Sequence, residues 1–202
     1  MQINPIRNQF TVAILALATF GICAAAEVPL EAKGVPNFHQ VNEHLYRGAQ
    51  PVGEGWNNLA KLGVKVVLDL RRDGEDGNHF VAAEAKAVQA AGMKYVNIPM
   101  NGIVAPSDGD IKKALALINS NEPVFVHCKL GKDRTGTVVA CYRISHEKWD
   151  NNKAMREAKA IGLHFVEFGM KSYLNAFKGM PEDSVVATKD AAVVAAPGST
   201  LN

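Results

Sequence analysis

This 202-residue chain has only three cysteines, no strong excess of either charge, no internal repeat and no apolar run of membrane-spanning length. Each lack excludes something. Three cysteines are too few for a disulfide scaffold. The longest apolar stretch, Phe10 to Ile22, falls well short of the ~20 residues a membrane helix needs. The 22 basic and 20 acidic residues leave a formal charge of +2, so nothing global selects nucleic acid or a membrane surface. Any preference for anions must therefore be local.

What is present begins with an export signature. Arg7 precedes the apolar stretch, and Ala24-Ala25-Ala26 follows it, the order of charged region, apolar core and small-residue cleavage site in a secretory signal peptide. The expectation is a signal peptide over residues 1–26 and an exported protein, periplasmic or secreted, with no stable membrane insertion after cleavage. Cys23 does not make a lipoprotein signature, because the preceding Ile22 is too bulky. Removing Arg7 reduces the charge to +1. Residues 27–180 are of single-domain length, long enough to bury a core, and a monomer is expected. From Pro181 the chain is Ala, Val, Ser, Gly and Pro without periodicity, which predicts a disordered tail over 181–202.

Strand and helix patterns alternate through the domain. Residues 44–48 read as a short strand, and 51–63 contain a helix closed by Gly63. "VKVVLDL", 64–70, is a near-continuous apolar run of the kind buried on both faces of a parallel sheet. A polar loop, a helix over 79–91 and the strand "KYVNIP" follow. Ser107 or Asp108 then caps a helix whose Ile111, Ala114, Leu115 and Ile118 share a face. The strand "PVFVH", 123–127, leads through a loop into a helix over 135–147, apolar on most sides and so expected at the centre. Two helices, 151–160 and 165–178, complete the domain, the second with Val166, Met170, Tyr173, Leu174 and Phe177 on one face. The pattern defines an α/β fold: a single domain with a central, mostly parallel sheet flanked by helices.

The chemistry gathers in "VFVHCKLGKDRTGTVVA", 124–140. The loop lies where open α/β sheets bind ligands, between the carboxyl end of a buried strand and a helix N-terminus. Backbone N–H groups of such a loop converge with the helix dipole on an anion. Arg134 adds a fork that matches two phosphate oxygens, and a thiol at the centre of such a site is activated as a nucleophile. Cys128 and Arg134 at the two ends thus describe an attacking group and a transition-state clamp. With a helix starting near Thr135, Cys141 lies about 9 Å along it, beyond the ~7 Å between Cα atoms that a disulfide with Cys128 allows. Cys141 reads as a small buried hydrophobe.

"HCKLGKDRTG" resembles the signature loop of the protein tyrosine phosphatase superfamily, His-Cys-x5-Arg-Ser/Thr, in its dual-specificity branch. "NFHQVNEHLYRGAQP" and "LGVKVVLDLR" resemble the N-terminal half of small bacterial and fungal members, so the likeness spans roughly residues 37 to 178. It implies a cysteine-phosphatase-like fold and a two-step, metal-independent hydrolysis of phosphomonoesters. Cys128 would attack phosphorus, while Arg134 and the amides of Lys129, Leu130, Gly131 and Lys132 hold the oxygens. Thr135 would assist departure of the thiolate, and His127 would orient the loop through hydrogen bonds. No cofactor or metal motif is found.

The usual acid of the family, roughly thirty residues before the cysteine, has no counterpart in "VNIPMNG". Asp108 and Asp133 remain as proton donors. Asp133 is preferred, by analogy with phosphoinositide phosphatases ending in "DRT"; Asp108 reads equally as a helix cap. Lys129 and Lys132 occupy positions shared with a tumour-suppressor phosphoinositide 3-phosphatase, so inositol phosphates or phosphoinositides compete with phosphotyrosine and phosphoproteins as substrates. Arg71, with Arg72, either lines the mouth of the site or is a solvated loop charge. Arg47 and Asp69 stand in motif-like positions, and a structural salt bridge or turn hydrogen bond explains them as well. His39, His44, His79, His146 and His164 show no ligand spacing and read as fillers. A non-catalytic phospho-ligand module would usually lack the nucleophile or the arginine. A sulfurtransferase or redox enzyme would want a resolving cysteine, for which Cys141 is badly placed.

Overall fold

The computed structural model describes residues 31–77, 79–120, 122–164 and 166–181. The stretch expected to be a signal peptide, and the tail expected to be disordered after Pro181, lie outside them. A five-stranded sheet runs β1 (His39–Gln40), β2 (Leu45–Gly48), β5 (Val124–His127), β3 (Val66–Asp69), β4 (Lys94–Asn97) across its width. Only the β1–β2 pair is antiparallel. Helices α1 (Gly55–Lys61), α2 (Val81–Ala90), α3 (Asp108–Ile118), α4 (Asp133–Ser145), α5 (Asn151–Ala160) and α6 (Phe168–Ala176) connect and cover the strands. Among the described residues no helix is long and apolar enough to cross a membrane.

Strand periodicity sorts the core into two layers. Leu45, Val66, Leu68, Val96, Val124 and Val126 join one cluster with residues of α3, α4, α5 and α6. Tyr46, Val67, Tyr95 and Phe125 point to the other face and meet residues of α1 and α2. The same alternation sends Asp69 and His127 after Val67 and Phe125. Cys128 follows Val124 and Val126 into the cluster that holds α4.

Gly63 closes α1 with φ of +89°, the left-handed position expected of it. Ser107, not Asp108, caps α3, its hydroxyl accepting from the Asp110 N–H. Helix α4 is buried along nearly its whole length, as its apolar sequence predicts, and starts at Asp133, two residues earlier than the pattern indicated. Helix α6 starts only at Phe168, which leaves Val166 outside it and 52% exposed, not on the apolar face with Met170 and Leu174. The polar loop after β3 holds a 3-10 turn, Glu75–Gly77, that periodicity did not indicate.

Candidate active site

The loop from Cys128 to Arg134 leaves the carboxyl end of the central strand β5 and enters the N-terminus of α4. Its outward face is tied down at successive carbonyls. Gln50 N–H donates to the Lys129 carbonyl at 3.3 Å. Asn37 Nδ2 donates to Leu130 O at 3.3 Å and Gly131 O at 3.2 Å, and Arg47 Nη2 to Gly131 O at 2.8 Å. Because a trans peptide points its C=O and the next N–H in opposite directions, these anchors turn the N–H groups of Leu130, Gly131 and Lys132 to the concave side. Gly131 is required there. Its φ is +66°, and a Cβ would lie 2.3–2.5 Å from the Gly48 and Ala49 backbone.

Arg134 is held at four points. Its Nη1 and Nη2 donate to Glu75 at 2.6 and 3.0 Å, and Nη1 also lies 3.4 Å from the carbonyls of Leu70 and Met100. Burial opposes its charge, but Glu75 and nearby Cys128 outweigh this and raise the guanidinium above the ordinary arginine range. Gly102 packs over the guanidinium face, where a Cβ would stand 3.7 Å from Cζ. Cys128 is 3% exposed at the opposite end of the loop. The Thr135 hydroxyl is buried with no hydrogen-bond partner among the described residues.

Beneath the loop, Arg47 is wholly buried, and its Nε and Nη1 have no hydrogen-bond partner among the described residues. Burial pulls its guanidinium down to about 10, against the opposing influence of Glu157 and Cys128. It therefore remains a cation at neutral pH, and its role is loop anchor and buried charge, beyond the ion pair or turn expected from sequence.

The two candidate acids separate. Asp133 sits inside the loop next to Arg134; its carboxylate accepts the His164 N–H at 2.8 Å and lies 2.8 Å from the same residue's Nδ1. Asp108 accepts from the Tyr173 hydroxyl at 2.7 Å and lines a cavity of about 420 Å³ with Phe177, Lys178 and Met180, in which no phosphate-loop residue takes part. The second candidate is thus engaged elsewhere. His164, taken as a filler from its spacing, is a partner of the loop. Glu167, in the same connection between α5 and α6, has its carboxyl pushed up by burial and by Asp133, with His164, Lys171 and Arg134 opposing.

Two expectations are corrected. Arg71 is neither at the mouth nor in solvent: it is 6% exposed, donates to Asp69 at 2.8 and 2.9 Å and pairs with Glu84. Asp69 also accepts from the Tyr95 hydroxyl at 2.8 Å. Strand phase is the reason, since Asp69 points under the sheet and a buried carboxylate draws its guanidinium with it. Although burial opposes it, His127 and Arg71 hold the Asp69 carboxyl below its usual range. His127 points to the same side. Its ring is buried, stacks on Phe125, meets the edge of Trp56, and places Nε2 3.0 Å from Glu84 Oε1. It fixes the end of β5 and does not face a ligand in the loop. Asp69, Glu84 and His127 bring three potential metal-ligand atoms together, but Arg71 bonds both carboxylates and is the cation of this cluster.

Lys129 and Leu130 are exposed, and Lys132 is partly covered where its stem approaches Gly162. Cys141 is fully buried, burial pushes its thiol up, and both it and Cys128 are free thiols.

A mostly parallel α/β sheet with a cysteine-to-arginine loop on its central strand is the architecture of the cysteine-phosphatase class. Residues 18–172 match the model of the family described as DSP-PTPase phosphatase fused to NAD+ kinase, and the chain belongs to that family. It is 32% identical over 127 residues to the phosphatidylglycerophosphate phosphatase PTPMT2 of Arabidopsis thaliana, covering 60% of this chain and 54% of that protein. It is 29% identical over 146 residues to the dual specificity protein phosphatase TpbA of Pseudomonas aeruginosa, covering 69% and 62%. The chain thus spans less than two thirds of these curated relatives. The fold is similar to the core catalytic domain of the Saccharomyces cerevisiae PP-IP phosphatase SIW14, with TM-score 0.62, 22% identity, and coverage of 74% and 87%.

Proposed function

We propose that the chain is a metal-independent phosphomonoester hydrolase that works through a cysteinyl-phosphate. The observation that carries this reading is a thiol and a doubly held guanidinium at the two ends of one loop whose carbonyls are tied outward. Cys128 attacks phosphorus in line, and the S–P bond forms as the ester P–O bond breaks. The loop amides and Arg134 hold the equatorial oxygens. Asp133, held by His164, gives the leaving oxygen its proton. Water then hydrolyses the intermediate, with the Thr135 hydroxyl assisting the departing thiolate.

The relatives above are named as a phosphatidylglycerophosphate phosphatase, a dual specificity protein phosphatase and a PP-IP phosphatase. For this chain the substrate is a phosphorylated protein or a small phosphate ester, including inositol phosphates and phosphoinositides, with no nucleic acid. Lys129 and Lys132 favour a substrate carrying more than one phosphate. The charged, apolar and small-residue order of the first 26 residues supports export to the periplasm or medium.

The test is phosphate release from p-nitrophenyl phosphate, reduced and with a chelator present, beside Cys128→Ser. Turnover that survives chelation and vanishes in the variant is expected; turnover that survives the substitution overturns the mechanism.

A further inference from the structure

Around the phosphate loop stands a rim of apolar side chains that the chemistry above does not use. Leu130 on the loop, Ile103 and Val104 after β4, Val166 before α6 and Phe168 at its first position are 47–76% exposed. With Val52, these are the exposed large hydrophobics among the described residues. They come from three segments that touch one another. Gly102, beside Ile103, lies on the Arg134 guanidinium, and a Cβ on Gly169, beside Phe168, would stand 2.9 Å from Ala105 N. His164, two residues before Val166, bonds Asp133 of the loop. Val52 follows Gln50, which bonds the loop at Lys129 O. Isolated exposed apolar residues are ordinary, but a set collected around one site marks a surface that meets something apolar.

Their exposure says what kind of thing. A site for a small ligand or an aryl ring is concave and buries it, whereas these side chains are about half or more open to solvent. Cations accompany them: Lys129 and Lys132 on the loop, and Lys171, whose Nζ lies 5.5 Å over the Phe168 ring. Exposed aliphatic and aromatic residues beside lysines fit an anionic lipid–water interface, apolar groups entering the acyl layer and ammonium groups staying among the phosphates.

We propose that this rim seats the site on a lipid surface, so that the substrate is an amphiphilic phosphomonoester of the phosphatidic acid kind, with the further phosphates that Lys129 and Lys132 favour supplied by neighbouring headgroups. This rests on the hydrolase reading above. The phosphate enters the loop while Ile103, Leu130 and Phe168 dip into the acyl layer. The P–O bond to the glyceride breaks, the glyceride oxygen takes a proton, and water supplies the new oxygen, giving diacylglycerol and inorganic phosphate.

Flotation with vesicles decides the matter without needing turnover. The Cys128→Ser chain is mixed with phosphatidylcholine vesicles with or without phosphatidic acid, alone and with Ile103→Ser and Phe168→Ser added. The expected result is flotation that requires phosphatidic acid and falls at least tenfold when both rim residues are changed. In the chain that keeps Cys128, the double substitution lowers phosphate release from these vesicles at least tenfold relative to p-nitrophenyl phosphate. Absent flotation, or flotation indifferent to the rim, overturns the proposal. A loss confined to a phosphotyrosine peptide overturns it too and assigns the rim to peptides. If the unmodified chain turns over neither ester, the hydrolase reading fails, and flotation still reports on the rim.

Discussion

Arg134 shows how one residue is divided between scaffold and ligand. Glu75 takes its Nη1 and Nη2 end, which leaves the Nε–Nη2 edge as the fork that can meet two phosphate oxygens. Asp133 is the neighbouring residue, and the proton-donor role proposed for it is testable by leaving group. Asp133→Asn is expected to slow phenyl phosphate roughly 10²-fold or more, the usual worth of a positioned acid, and to spare p-nitrophenyl phosphate, whose phenolate departs unaided. Equal losses on the two esters would remove Asp133 from proton transfer. Cys128, Arg134 and Asp133 could be put forward from sequence because the proposed chemistry lies in one contiguous stretch. Glu75 and His164 were not, standing 59 and 31 residues from the loop residues they bind. A carboxylate in a polar loop and a solitary histidine carry no local sign of such a partner.

Strands and helices were read well where apolar period was strong, and poorly where a residue's direction decided its role. "VVLDL" announced a buried strand, yet the phase that sends Asp69 beneath the sheet, and Arg71 after it, depends on which face meets α2. At the loop itself, backbone shape outweighs side-chain chemistry. Gly131→Ala puts a methyl into the Gly48 carbonyl at a left-handed φ, a strain of at least ~1 kcal/mol before the clash is counted. The expected outcome is a chain with wild-type circular dichroism and at least tenfold weaker tungstate binding by calorimetry. Unchanged binding would show that the loop's shape is not set by this contact.

Across the whole molecule, the sheet keeps two sets of charges apart, with the anion loop on the α4 side and the Asp69–Arg71–Glu84–His127 network on the α2 side. The network ties β3, β5 and α2 together, and its integrity should be visible in stability. Asp69 is held ionised below its ordinary pKa of about 3.9, so its contribution is complete well above that value and is lost as pH falls through it and below. The urea midpoint of the chain is expected to decline between about pH 5 and pH 2.5, and Asp69→Asn to flatten that decline. The substitution should also cost roughly 3–5 kcal/mol at neutral pH, as breaking a buried ion pair does. An unchanged slope in the variant would place the acid-sensitive group elsewhere.

The anchors of the phosphate loop are all early in the chain: Asn37, Arg47 and Gln50 bind carbonyls that arrive up to 94 residues later. A ribosome making this protein therefore finishes the mould long before the part that is cast in it. The clamp on Asp133 comes later still, at His164. During synthesis the thiol is exposed before the groups that would hold a phosphate beside it are all in place, and the site is assembled only when nearly the whole domain has emerged.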